Sequence, residues 1–247
     1  KEDKILITGG HLTPALLSCA EMITNGFSNI TWVGVKHTQR GDTSTTPEYQ
    51  LVSELKVPFI QFNTGKLWRK WNKFTYKQAF IDLLLIPYGF INAFKIILNE
   101  KPKLIFSFGG YMAVPFVLAG KILRKRIITH EQVLSPGLAS KIISKVADKI
   151  LVSWEENLTQ FDPSKTVLTG NPSILNYNKT EERINFNNDL PIVTIIGGNQ
   201  GSHIVNTAVF AGLKEILKFT NLIHQTGRSE VTKDKYRASD EKAKLEE

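Results

Sequence analysis

The chain reads as an α/β protein: a complete parallel sheet domain of the Rossmann-like kind, followed by the beginning of a second. Three observations predict this. Short β-branched and aliphatic runs alternate with segments of helical apolar spacing along the first 175 residues. A glycine pair follows such a run three times, at Gly9-Gly10, Gly109-Gly110 and Gly197-Gly198, and each pair leads into a helical pattern. A polar stretch, 176–189, then separates a domain over 1–175 from a partial one over 190–247.

Lys4-Ile5-Leu6-Ile7 is the first predicted strand. Gly9-Gly10 turns the chain and leaves amide groups at a helix N-terminus, an arrangement suited to an anion. His11 stands on that turn, and Pro14 suits the first helical turn. A second strand is expected at 29–35, a polar loop at 38–46, a helix at 48–55 and a third strand at 57–62, weakened by Pro58.

The next segment interleaves basic and aromatic residues: Lys66, Trp68, Arg69, Lys70, Trp71, Lys73, Phe74, Tyr76 and Lys77. It runs into the apolar stretch 79–98, which contains Phe80 and Leu84. Pro87 and Gly89 are expected to divide that stretch into two helices, and its longest uncharged run, 83–94, falls short of the ~20 residues of a spanning helix. Two readings stand: helices that cover the sheet, or a patch that enters a lipid boundary while its cations meet anionic headgroups. Nucleic acid uses the same residue types, but no nucleic-acid-binding motif accompanies them, so none is expected as a partner.

Residues 104–108 form a strand leading to Gly109-Gly110-Tyr111, and 114–123 a helix ending in Arg124-Lys125-Arg126. The strand 127–132 ends in His130-Glu131-Gln132 at a carboxyl edge. Ser135 is the expected N-cap of the next helix, with Pro136 at its first position. Strands follow at 149–153 and 166–169, then the turn Gly170-Asn171-Pro172. The second sheet begins with strand 192–196, the turn Gly197-Gly198-Asn199-Gln200-Gly201-Ser202, a helix over 204–217 and strand 221–225, which ends in His224-Gln225. Thr226-Gly227 opens a charged tail, 229–247, read as an exposed helix. Two strands cannot bury a doubly wound core, so this second domain reads as incomplete.

Composition narrows the function. With 42% hydrophobic and 22% charged residues the chain is globular, and 247 residues allow one large domain or two smaller ones. The single Cys19 excludes an internal disulfide and suits a reducing compartment. No signal-peptide pattern opens the chain. A net charge of +8 favours an anionic partner. None of the glycine turns matches the dinucleotide fingerprint, which argues against a nicotinamide-dependent dehydrogenase.

The motifs in order are Gly9-Gly10-His11, Gly109-Gly110-Tyr111, His130-Glu131-Gln132 with Pro136-Gly137-Leu138-Ala139, Gly170-Asn171-Pro172, Gly197-Gly198-Asn199-Gln200-Gly201, and His224-Gln225-Thr226-Gly227. This succession resembles the MurG family of peripheral membrane N-acetylglucosaminyltransferases. The resemblance implies a GT-B fold and inverting transfer of N-acetylglucosamine from UDP-N-acetylglucosamine to lipid I, giving lipid II for peptidoglycan, with no metal or other cofactor required. The resemblance also implies a place at the cytoplasmic face of the bacterial cell membrane, roles in cell shape and division, and other cell-wall synthesis proteins as partners. His11 is then the candidate general base, with Glu131 and His130 positioning the acceptor or sharing that role. Gly9, Gly10, Gly109, Gly110, Tyr111 and Gln132 would meet the acceptor's diphosphate. Asn171, Gly198, Asn199, Gln200, Gly201 and Gln225 would line the donor side. Trp68, Arg69, Lys70, Trp71, Phe74, Lys77, Phe80 and Leu84 would form the membrane patch. The chain departs from the family pattern at Asn199, where a serine is usual, and at Ser173-Ile174-Leu175, where an arginine is expected. Its first glycine loop is also shorter. A lipid-binding acceptor subunit working with a separate donor chain, a GT-B transferase with another lipid-linked acceptor, and a plain nucleotide-binding Rossmann protein are the alternatives.

Overall fold

The computed structural model describes residues 2–37, 45–68, 76–173, 184–197, 201–227, 234, 237 and 238. Its contacts divide the chain into two units, Lys1–Tyr177 and Asn178–Glu247. Much of the expected linker and nearly all of the charged tail lie outside the described residues.

The first unit holds seven strands: β1 (Ile5–Thr8), β2 (Ile30–Gly34), β3 (Phe59–Gln61), β4 (Leu104–Ser107), β5 (Arg126–Glu131), β6 (Lys149–Val152) and β7 (Thr166–Leu168). Its helices are α1 (Leu12–Thr24), α2 (Pro47–Glu54), α3 (Tyr76–Glu100), α4 (Ala113–Ile122) and α5 (Leu138–Val146), with a 3₁₀ helix at Glu155–Thr159. The strands form one parallel sheet in the order β3-β2-β1-β4-β5-β6-β7. β1 is paired with β2 on one side and β4 on the other, with Thr8 level with both Val33 and Ser107. The strand order therefore reverses between β1 and β4, and the crevice at their carboxyl ends is where such sheets bind ligands.

Every residue of β1 and β2 is buried, as expected of parallel strands covered on both faces. Alternation along β1 sends Ile5 and Ile7 to one core, with Trp32, Ala15, Cys19 and Val52 beneath α1 and α2. Leu6 points to the other, with Val33, Ile105, Phe116, Ala93 and Ile97 beneath α3 and α4. A third cluster, Ala113, Val117, Ile127, Ile143, Ile150 and Val152, seats α5.

Two expectations need correction here. The apolar stretch after Tyr76 is one helix of 25 residues, with Pro87 inside it. Pro87 gives up one backbone bond, but Ala79, Ala93 and Ile97 are fully packed to either side of it. Gly89 is a contact point, since a Cβ there would collide with the Thr64 side chain. Its Ala79–Glu100 portion, 22 residues of mean hydropathy 1.7, is long and apolar enough to cross a membrane by length and composition, although its longest uncharged run is short. Second, α5 begins at Leu138 with Gly137 as its cap, and neither Ser135 nor Pro136 belongs to it. The preceding loop is held by the 3₁₀ helix instead: Asn157 Nδ2 and Gln160 Nε2 both donate to the Leu134 carbonyl, at 3.0 and 3.1 Å.

The second unit contains β8 (Ile192–Ile196), α6 (His203–Ile216) and β9 (Asn221–Gln225), with the two strands parallel and in register from Ile192–Asn221 to Ile196–Gln225. Ser202 caps α6, its hydroxyl accepting from the Val205 amide. Unlike β1, β8 is largely exposed.

Candidate active site

At the crevice between β1 and β4 the two glycine pairs meet. A Cβ on Gly10 would lie 2.7 Å from the Gly109 carbonyl carbon and 2.8 Å from the Phe108 oxygen, so only glycine allows this approach. Gly109 and Gly110 hold φ of +74° and +76°, which L side chains rarely adopt. His11 ends the turn: its N–H donates to the Phe108 carbonyl at 3.2 Å, and its ring lies over Gly109, with Cδ2 3.7 Å from where a Cβ would stand.

That bonding takes up some of the amides expected to lie uncovered at these turns. Gly9 N–H donates to the Val33 carbonyl at 3.1 Å, His11 N–H is engaged as above, and Gly109 N–H donates to Ser107 Oγ at 3.2 Å. A carboxylate that sequence reading passed over also sits here. Glu48, on α2, accepts the Trp32 indole N–H at 2.9 Å and the Val35 amide at 3.3 Å. It fills the notch that Gly9 and Gly34 leave open, where a Cβ at either would strike it. The signal was there, in the glycine that ends β2, but an acid at a helix N-terminus ordinarily reads as a dipole partner.

Burial holds the Glu48 carboxyl above its ordinary 4.5, only partly offset by its two hydrogen bonds. A raised acid favours the native state most when protonated. Its contribution is therefore greatest below the unfolded value and is lost as pH rises through the folded one. Glu48→Gln should flatten stability against pH across that window. Glu48→Ala, which leaves the buried Trp32 N–H without its acceptor, should cost about 1–3 kcal/mol in urea unfolding.

His130 and Glu131 close β5 beside this crevice, both almost wholly buried. His130 Nε2 lies 3.2 Å from the Gly170 carbonyl and 3.3 Å from Ser153 Oγ. A carbonyl only accepts, so Nε2 carries the proton and the buried Nδ1, which has no partner, carries the lone pair. Glu131 Oε1 accepts the Val133 amide at 3.1 Å. The three candidates are near enough to feel one another. Burial lowers the pKa of His11, and Glu131 opposes that shift. Burial also lowers His130, against the pull of the Gly170 carbonyl and Glu131, with His11 adding to the decrease.

Tyr111 follows the second glycine pair, with its phenol held above the ordinary value by burial and by Asp82. Asp82 in turn accepts the Trp68 indole N–H at 2.7 Å. The Gln132 carbonyl accepts the Trp154 indole N–H at 2.9 Å. Beyond it a cavity of about 480 Å³ is lined by Ser153, Trp154, Glu155, Glu156, Leu168 and Gly170. Among the described residues no group of three or more His, Cys, Asp or Glu is placed to hold a metal ion.

Of the expected donor-side residues, Asn171 stands exposed after β7, and Gln225 exposed at the end of β9. Gly201 holds φ of +77°, and a Cβ there would meet Gly227 Cα at 2.8 Å, so the turns after β8 and β9 pack together. Gly198, Asn199 and Gln200 lie outside the described residues, as do Arg69, Lys70, Trp71 and Phe74 of the expected membrane patch.

Residues 8–152, from the end of β1 to the end of β6, match the glycosyltransferase family 28 N-terminal domain. The chain belongs to this family. Among its relatives is the UDP-N-acetylglucosamine–N-acetylmuramyl-(pentapeptide) pyrophosphoryl-undecaprenol N-acetylglucosamine transferase of Clostridium botulinum, 33% identical over 91% of this chain and 62% of the relative. The protein of the same name from Treponema denticola is 34% identical over 90% of this chain and 58% of its own length. The chain thus spans about three fifths of the curated relatives it matches. The crystal structure of Acinetobacter baumannii MurG shares the fold, with a TM-score of 0.53 and 23% identity over 96% of this chain and 63% of that one. So does a co-structure of Staphylococcus aureus MnaA with UDP, with a TM-score of 0.58 and 13% identity over 96% of this chain and 66% of that one. The α/β family 28 architecture with its parallel, Rossmann-like sheet is that of GT-B glycosyltransferases.

Proposed function

We propose that the protein transfers N-acetylglucosamine from UDP-N-acetylglucosamine to the muramyl sugar of lipid I, with inversion, forming lipid II. The observation that carries this reading is His11 set over Gly109 at the β1/β4 crevice, with Glu131 nearby, in a family 28 chain. The relatives' names supply the donor and acceptor classes.

In the reaction, His11 takes the proton of the attacking sugar hydroxyl as its oxygen bonds to the donor's anomeric carbon. The bond to the diphosphate breaks, and UDP leaves with the electron pair. A lowered pKa leaves the imidazole neutral near pH 7, as a base must be, and Glu131 favours the imidazolium that forms. His130 is 3% exposed with its Nε2–H committed, so it positions rather than abstracts. The acceptor's diphosphate lies toward Gly110 and Tyr111, where α4 begins. The donor meets the turns around Gly201 and Gln225. UDP release in the presence of donor and a lipid I analogue tests the reading; no release with either that acceptor or other lipid-linked sugars would defeat it.

The same reading places the protein at the cytoplasmic face of the membrane. One face of α3 packs on the sheet through Phe90, Ala93, Phe94 and Ile97. Tyr76, Phe80, Leu84, Tyr88 and Ile91, spaced along the opposite side, are all exposed. With a face committed to the core, the helix lies in the lipid boundary, beside Trp68 and the exposed Lys77. Combined Phe80→Glu and Leu84→Glu should weaken sedimentation with anionic vesicles at least about tenfold. Retained sedimentation would remove α3 from the contact.

A further inference from the structure

A base must stand in a fixed place, and the turn that carries His11 is gripped from two sides. On the β4 side, Gly10 closes on the backbone of Phe108 and Gly109. On the β2 side the contact is a side chain, that of Glu48. A Cβ on Gly34 would stand 2.6–2.8 Å from all three carboxyl atoms of Glu48. A Cβ on Gly9 would collide with its Oε1 and come within 3.3 Å of Trp32 Nε1. Trp32 is wholly buried, and its indole N–H is spent on that same oxygen.

Helix α2 keeps the carboxyl group in this notch. Thr46, the buried cap of α2, donates its hydroxyl to the Val35 carbonyl at 2.6 Å and accepts the Tyr49 amide at 3.1 Å. Its own amide donates to the Lys36 carbonyl at 2.8 Å, and Pro47 sets the first helical turn. The start of α2 is thereby pinned to the backbone just past β2. Glu48, bonded through both oxygens and anchored at its root, is a fixed spacer between β2 and the Gly9-Gly10 turn. The charges that the His11 ring feels are those of Glu131 and His130, both on β5, so Glu48 acts through the backbone of the turn.

We propose that Glu48 is a positioning residue for the transfer: wedged between β2 and the Gly9-Gly10 turn, it presses that turn toward β4 and so sets where the His11 ring stands. The role of His11 as base rests on the transferase reading, whereas the placement of its ring does not. Removal of the spacer lets the turn slide toward β2. The ring then loses the burial that holds its pKa below 6.5. Loss of a negative charge alone would move that pKa the other way.

The test is a proton NMR titration of this chain, with the His11 resonance assigned from His11→Gln. In Glu48→Ala the His11 pKa should rise toward 6.5, while His224 in the second unit keeps its native value. Glu48→Gln retains the volume and an acceptor for the Trp32 N–H, so it should stay close to native. Gly9 does not hold a positive φ, so alanine suits its backbone, but the added methyl expels the carboxyl group. Gly9→Ala should therefore match Glu48→Ala, and it gives the same reading should Glu48→Ala fail to fold. The double variant should shift no further than either single one, because the methyl then enters the vacated notch. In UDP release, kcat of Glu48→Ala should fall about 10- to 10²-fold with KM for the donor unchanged, and the acid limb should follow the NMR value. A His11 titration that is unmoved or lowered in folded Glu48→Ala, a shift as large in Glu48→Gln, or additive shifts in the double variant would each overturn the inference. The titration needs no turnover, so absence of UDP release would defeat the transferase reading and leave this result standing on its own.

Discussion

His11→Ala should lower turnover with a lipid I analogue by about 10²- to 10⁴-fold while leaving acceptor binding nearly intact. The pH profile carries the sharper part of this expectation. Burial sets the His11 pKa below its ordinary 6.5. A base with a lowered pKa loses its lone pair only when pH falls through that lowered value, so the acid limb of kcat/KM lies below 6.5 in the native enzyme. In His11→Ala that limb should vanish along with most of the rate. Glu131 opposes the decrease, so Glu131→Gln should move the limb to still lower pH and slow the reaction through the less favoured imidazolium. His130→Gln keeps a donor toward Gly170 and should change the rate less than either. An unchanged rate in His11→Ala would remove His11 from the mechanism. A limb that survives in that variant and shifts in His130→Gln would transfer the role to His130.

The parallel sheet was legible because buried parallel strands write themselves as short aliphatic runs: Ile5-Leu6-Ile7 and Leu104-Ile105-Phe106 could hardly be anything else. The three candidate residues at the crevice were legible for the same reason, since each ends or follows such a run. What sequence could not supply was the use to which each polar group is put. The amides of Gly9 and His11 looked open because a turn of that pattern often leaves them so. Here the neighbouring strand ends, Val33 and Phe108, claim them. Pro87 looked like a break because its local cost is visible, whereas the packing of Ala93 and Ile97 that offsets it is assembled from β1, β4 and α4. Glu48 was missed because its partner Trp32 stands 16 residues away.

Gly10→Ala is the backbone counterpart of the His11 prediction. The added methyl would meet the Gly109 and Phe108 carbonyls, which are main-chain atoms and cannot swing aside. Relief requires the two turns to separate, at a cost of about 1–3 kcal/mol in unfolding free energy. Since His11 is bonded to Phe108 and its ring rests over Gly109, the same separation displaces the base. Misplacement of about 1 Å can cost on the order of 10²-fold in rate. Gly110→Ala tests strain apart from crowding: the nearest neighbour of an added Cβ, Gly10 Cα, is 3.3 Å away, but its φ of +76° disfavours any side chain. It should lose about 1–2 kcal/mol of stability with a smaller loss of rate. Gly137→Ala is the control, because a Cβ there meets nothing within 4 Å and the backbone is extended. It should be neutral, or stabilise by up to about 1 kcal/mol through the unfolded state. Urea midpoints and turnover measured on all three separate the contributions. If Gly10→Ala kept the stability and rate of Gly137→Ala, the contact between the glycine pairs would not be what holds His11 in place.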